Sequence, residues 1–158
     1  LKDPADILGK FLDRAERFKA FLGPLLVQLP PRWKPDAGRL AAFLSKAPRR
    51  HRWAIEFRDP RWLIDEVFHV LETHQAALCI HDMIPNHSRR LTTDWTYLRF
   101  HGYHYAGSYS RKTLSDWGDW INERLSEKTD VYAYFNNDAE GYAVKNAADL
   151  RQYVASGI

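Results

Sequence analysis

The side chains with chemical potential stand at the carboxyl-terminal tips of short apolar runs: Gln28, Glu56 with Arg58, His81 with Asp82, Arg99 with His101, and Asn136 with Asn137 and Asp138. These residue types suit proton transfer on an anionic substrate. A carboxylate or imidazole moves the proton, and a guanidinium holds phosphate or carboxylate oxygens through paired N–H donors that a lysine does not match. Glu56, His101 and Asp138 are therefore the catalytic candidates, with Glu56 and His101 as the proton-transfer groups. Gln28, Arg58, Arg99, Tyr109, Asn136 and Asn137 are the binding candidates. On this reading Glu56→Gln abolishes turnover and leaves folding intact. The competing reading of Glu56, Arg58 and Arg99 is a structural ion-pair network across adjacent strands, since buried charges must be paired, wet or ligand-bound.

His81 shares its strand face with Cys79 and reads as structural. Asp82 points to the opposite face by strict alternation, unless the twist at the strand end turns it inward. Glu56, His81, Asp82 and His101 are also of metal-ligating type, so a divalent cation stays open. It is not favoured: no tight motif such as H-E-x-x-H is present, and two nearby arginines oppose a cation. There is no glycine-rich phosphate loop, no G-x-S-x-G elbow and no zinc-spaced Cys/His set, so the cofactor remains unknown. A different class of function is a non-catalytic nucleic-acid or nucleotide-binding module. It would use Arg89, Arg90 and the tyrosines Tyr103, Tyr105 and Tyr109, which suit stacking on bases.

The elements that must position these groups follow from periodicity. Trp53–Trp62 (WAIEFRDPRW) is the plainest case. Alternation puts Ala54, Glu56 and Arg58 on one strand face and Trp53, Ile55 and Phe57 on the other, and Asp59-Pro60 then reads as a helix cap with proline in the first turn. The same plan recurs in Leu25–Leu29, Ala76–His81, Trp95–His101 and Val131–Phe135. Helical spacing is seen in Ile7, Phe11, Ala15, Phe18 and Leu22 after an Asp3-Pro4 cap. It recurs after Asp36, from about Asp59 to His74, after Ser110 (Leu114, Trp117, Ile121, Leu125), and from about Asn146 to Ser156. Met83–Asp94 reads as a surface loop.

A helix followed by five strand-helix units, except that the long loop Met83–Asp94 stands in place of one helix, argues an α/β fold with a parallel sheet. One parity of several strands carries Gln, Glu, Arg and His, which suits a barrel mouth better than an open sheet covered on both faces. A complete barrel takes about 250 residues, so 158 residues read as a single, incomplete TIM-barrel-like domain whose missing strands lie upstream. Such a fragment would have strand edges free for self-association.

Composition is that of a soluble globular protein, 45% apolar with 14% aromatic residues. A net charge of +3 permits an anionic partner without naming one. The single cysteine, Cys79, excludes an internal disulfide and fits a reducing, cytoplasmic setting. No run is long and apolar enough for a membrane span.

Leu25–Trp33 (LLVQLPPRW), Trp53–Trp62, Tyr97–Gly102 (YLRFHG), Gly107–Ser110 (GSYS) and Tyr132–Asp138 (YAYFNND), taken in order, resemble the family called domain of unknown function 72, the YecE-like proteins. The likeness spans nearly the whole chain. It implies a TIM-barrel-like fold lacking the family's first strands, and it implies no settled reaction. A likeness to endonuclease-type barrels suggests nucleic-acid or phosphate-ester chemistry at the level of fold analogy.

Overall fold

The computed structural model describes residues 4–102 and 106–155. Asp3, Tyr103, Tyr105 and Ser156 lie outside them. The strands are β1 (Leu25–Gln28), β2 (Trp53–Glu56), β3 (Ala77–His81), β4 (Trp95–Phe100) and β5 (Asp130–Phe135), and the helices are α1 (Pro4–Ala15), α2 (Ala37–Leu44), α3 (Asp65–His74), α4 (Arg111–Ser126) and α5 (Tyr142–Ala155). The strands form one sheet in the order β1-β2-β3-β4-β5, and every pairing is parallel. A doubly wound sheet reverses its order at a switch point. This one does not, as in the wall of a barrel.

Curl is visible in side-chain reach. In a flat sheet β2 and β5 would stand about 14 Å apart, three steps of roughly 4.8 Å, with side chains projecting side by side. Here Arg52, at the entry to β2, donates to the Tyr132 hydroxyl and to Asp130 Oδ2, each at 2.7 Å. The result is a half-barrel, an α/β fold consistent with an incomplete TIM-barrel-like arrangement.

The convex face of the sheet carries Ile55, Phe57, Leu78, Ile80, Leu98 and Phe100, which bury against Leu40, Val67, Leu71, Leu114 and Ile121 from the helices. Full burial of such a side chain stabilises the fold by about 1.5–3 kcal/mol. The concave face holds a smaller cluster of Ala54, Ala77, Cys79, Trp95 and Tyr97. Alternation assigns the polar tips to that concave side.

Helix caps fall where expected: Asp36 Oδ1 accepts from Arg39 N at 2.8 Å, and Ser110 Oγ accepts from Thr113 N at 3.0 Å. Three boundaries differ. The first helix does not run on to Leu22. After Ala15 it tightens into a 3-10 segment (Glu16–Phe21) that is interrupted at Lys19 and buries no residue, so no packing holds an α-turn there. The stretch from Asp59 to His74 is not one helix. Asp59 does cap Pro60–Trp62, but the chain breaks at Leu63 and α3 starts afresh at Asp65. The cause is Trp62, which is buried with its ring stacked 5.0 Å from Phe57 and its Nε1 donating to Trp33 O at 2.8 Å. The last helix begins at Tyr142, ahead of Asn146, after a short turn (Ala139–Gly141). Among the described residues no helix is long and apolar enough to cross a membrane.

Candidate active site

Register brings the polar tips together. Gln28 pairs with Glu56, and His81 pairs with Arg99, which itself pairs with Tyr134. Arg58, His101 and Asn136 follow two positions beyond Glu56, Arg99 and Tyr134, on the same parity. The sheet continues past β5, where Asn136 N donates to Phe100 O at 2.7 Å.

Glu56 is fully buried between two arginines. Arg58 Nε donates to its Oε1, and Arg99 Nη1 donates to its Oε2 at 2.5 Å. Gln28 Oε1 accepts from Arg58 Nη2 at 3.0 Å and from Arg99 Nη1 at 3.2 Å, while Asn136 Oδ1 accepts from Arg99 Nε at 2.9 Å. Burial alone would raise the Glu56 pKa. The hydrogen bond and charge of Arg99, with the charge of Arg58, outweigh it and hold the carboxyl below its ordinary value. Glu56 is thus an ionised anchor and a weak base. Cys79 Sγ lies 3.8 Å from Glu56 Oε2, and burial first, then the Glu56 charge, push this thiol well up. It is a buried structural thiol.

Among the described residues none accepts from Arg99 Nη2, and the Arg99 side chain keeps 15% of its surface exposed. Two N–H donors on a nearly buried guanidinium therefore have no acceptor among the described residues. That is the makings of an anion seat.

His101 is also fully buried. Its Nε2 stands 3.2 Å from Arg58 Nη2, and its Nδ1 stands 3.3 Å from Asp82 Oδ1. A guanidinium only donates, so Nε2 accepts and the ring proton sits on Nδ1, toward the carboxylate. Asp82 is itself held by donors: Oδ1 accepts from His101 N at 3.0 Å, and Oδ2 accepts from Gly102 N at 3.1 Å and from the Tyr109 hydroxyl. Burial would raise its pKa, but the His101 ring, the Tyr109 hydroxyl and the two backbone N–H groups bring it to about 2. Burial and then Asp82 push the Tyr109 hydroxyl upward.

Asp82 follows the last residue of β3, so alternation no longer governs it and the chain turns it toward His101. Its only signal in the sequence is its place just past a strand end.

The other candidates divide. His81 uses both ring nitrogens internally, Nε2 with Phe57 O at 2.8 Å and Nδ1 accepting from Met83 N at 3.2 Å. Burial chiefly, with a contribution from His87, lowers its pKa to about 4. Asn137 is buried away from the cluster: its Nδ2 donates to Gly107 O at 2.8 Å and to Asn146 Oδ1 at 2.9 Å, and that same Asn146 oxygen accepts from Tyr109 N at 3.1 Å. Its work is to hold the loop that carries Tyr109. Asp138 is exposed and opens the turn before α5 without a side-chain capping bond. Arg89 lies 4.0 Å over the Trp117 ring, and Arg90 pairs with Asp65 and Glu72, so both arginines are engaged within the protein. Among the described residues no group of three or more His, Cys, Asp or Glu is arranged to hold a metal ion. A cleft of about 480 Å³ at the amino ends of the strands, lined by Glu16, Lys19, Arg50, His51, Arg52 and Tyr132, contains none of the candidates.

A family model described as "Protein of unknown function DUF72" matches residues 1–157. A crystal structure of a DUF72 family protein from Thermotoga maritima MSB8 is similar with a TM-score of 0.88 and 26% identity, over 98% of this chain and 66% of that one. One from Enterococcus faecalis V583 is similar with a TM-score of 0.81 and 20% identity, over 98% of this chain and 67% of that one, a likeness of fold alone. The chain thus spans 66% of the length of the T. maritima protein. No curated protein matches it.

Proposed function

The chain belongs to the DUF72 family, a family of unknown function, and for this member we propose an enzyme acting on a phosphorylated or otherwise anionic substrate at the carboxyl ends of the strands. Hydrolysis and isomerisation are the reaction classes it suits. The observation that carries the reading is the pairing of a buried, Asp82-oriented imidazole with a guanidinium that retains two N–H donors, Arg99 Nη2. His101 moves the proton and Arg99 seats the anion. Arg58 Nη2 now donates to the His101 lone pair. A charged oxygen outcompetes an imidazole for that donor, because charge-assisted hydrogen bonds are roughly twice as strong as neutral ones. An arriving anion thereby uncovers Nε2 beside the substrate. Glu56, kept ionised, orients both guanidiniums, with Gln28 and Asn136 completing their hold, and Tyr109 steadies Asp82. Asp138 is given no part.

The experiment is a turnover assay over a panel of phosphate monoesters, comparing the wild-type chain with His101→Gln. Turnover of at least one ester is expected, falling by about 10²- to 10⁴-fold in the variant. A panel that is neither bound nor turned over, or equal turnover by both proteins, overturns the reading.

A further inference from the structure

We infer that the concave face selects a ligand whose anionic group is attached to a planar aromatic ring, with Tyr134 as the platform for the ring and Arg99 Nη2 as the seat of the anion. This rests on the anion-binding reading of Arg99 given above. Arg99 and Tyr134 are register partners on β4 and β5, so their side chains leave the sheet on one face, a single strand spacing of about 4.8 Å apart. The Tyr134 ring is stacked on Tyr97, with centroids 4.8 Å apart and planes inclined by 19°. Tyr97 is buried, whereas Tyr134 is 42% exposed. Tyr97 covers one ring face and the hydroxyl end reaches toward Gly23, ahead of β1, so the opposite face is the one we assign to the ligand.

The floor beside this platform is aromatic too, since Trp95 meets Tyr132 edge-on at 5.9 Å on the same strand pair and the same parity. A ring laid on the open face of Tyr134 would extend this stack. An anion alone would use Arg99 and leave Tyr134 idle. A neutral ring would use Tyr134 and leave the two guanidinium donors unmet. Only a ligand with both parts satisfies both observations. A nucleoside monophosphate and a small aryl phosphate share this chemistry, and the test separates them.

The test is calorimetric titration of the chain with phenyl phosphate, methyl phosphate and adenosine 5′-monophosphate. Phenyl phosphate is expected to bind about tenfold more tightly than methyl phosphate, the scale of stacking on one aromatic side chain. Tyr134→Leu should erase that difference while leaving methyl phosphate affinity unchanged, which also shows that the variant folds, and Tyr134→Phe should retain it. Adenosine 5′-monophosphate binding more tightly than phenyl phosphate assigns the ring to a nucleobase, and binding more weakly assigns it to a small aryl anion. Either result supports the inference. Equal affinity for phenyl and methyl phosphate, or a preference that survives in Tyr134→Leu, overturns it and leaves the Arg99 anion seat standing. Failure of all three to bind removes both.

Discussion

A single oxygen of Asp82, Oδ1, holds His101 twice, 3.3 Å from the ring Nδ1 and 3.0 Å from the backbone N–H. Ring orientation and strand end are fixed by one atom. Replacing that carboxylate should therefore release the ring before it unfolds the protein. Asp82→Ala is expected to leave the His101 Nδ1–H without its acceptor, moving the Nδ1 ¹⁵N chemical shift while Arg58 keeps the tautomer, and to cost about 1–3 kcal/mol of stability. Unchanged ¹⁵N shifts would dismiss the positioning role.

Acid should act in two stages. Burial lowers His81 to about 4 from the usual 6.5, so the unfolded chain takes up protons first. The fold therefore has its full advantage above about pH 6.5 and loses it as the pH falls toward 4, by something on the order of 3 kcal/mol. His87, lowered by burial, adds in the same direction. Asp82, at about 2 against the usual 3.8, contributes fully above about pH 4 and is lost as the pH falls toward 2. Urea denaturation across this range measures both. A stability that stays level from pH 7 to pH 4 contradicts the first stage.

Glu56→Gln should damage the fold as well as the site. The carboxylate is fully buried with Arg58 on one oxygen and Arg99 on the other, and an amide leaves both cations uncompensated. A loss of about 3–5 kcal/mol is expected. Sequence alone predicts an inert substitution for folding, because alternation reveals the direction of the side chain and not the number of charges resting on it. A denaturation midpoint within error of wild type would return Glu56 to the list of candidate bases.

Gly102 should tolerate no side chain. Its φ is +68°, and a Cβ there would stand 2.7 Å from Ala106 O and 3.0 Å from Asn137 Cβ. Its N–H also donates to the Tyr109 hydroxyl at 2.6 Å. Gly102→Ala is expected to cost about 2 kcal/mol or more and to speed exchange of the Tyr109 amide. Retained protection of that amide would argue that the loop is held without Gly102.

Much of this arrangement is legible in the sequence, and the exceptions share a cause. Gln28, Glu56, Arg58, Arg99, His101 and Asn136 lie on or just past strands whose apolar partners fix the parity, so period-two alternation is enough to gather them. Asn137 stands next to Asn136 and goes the other way, as the same rule requires. Asp82 escapes because it sits where the strand ends and the rule lapses. The break before α3 escapes because it is set by where Trp62 finds Phe57 and Trp33, a contact between distant segments that spacing along the chain does not encode. Tyr134 carries the right parity and is readable in retrospect. What hides it is chemistry, since a tyrosine on a strand is ordinary until its neighbour proves to be an arginine with donors to spare.

The hydrogen bond from Arg99 to Gln28 joins residues 71 positions apart and the first strand to the fourth. In a sheet whose strands are added in chain order, each pairing closes a modest loop, but this link closes only once the wall from β1 to β4 has bent round. It is thus a latch that registers the bend. A molecule arrested with its strands paired but still flat would show native-like circular dichroism and carry every residue of the candidate site, yet Gln28 and Arg99 would stand too far apart to meet.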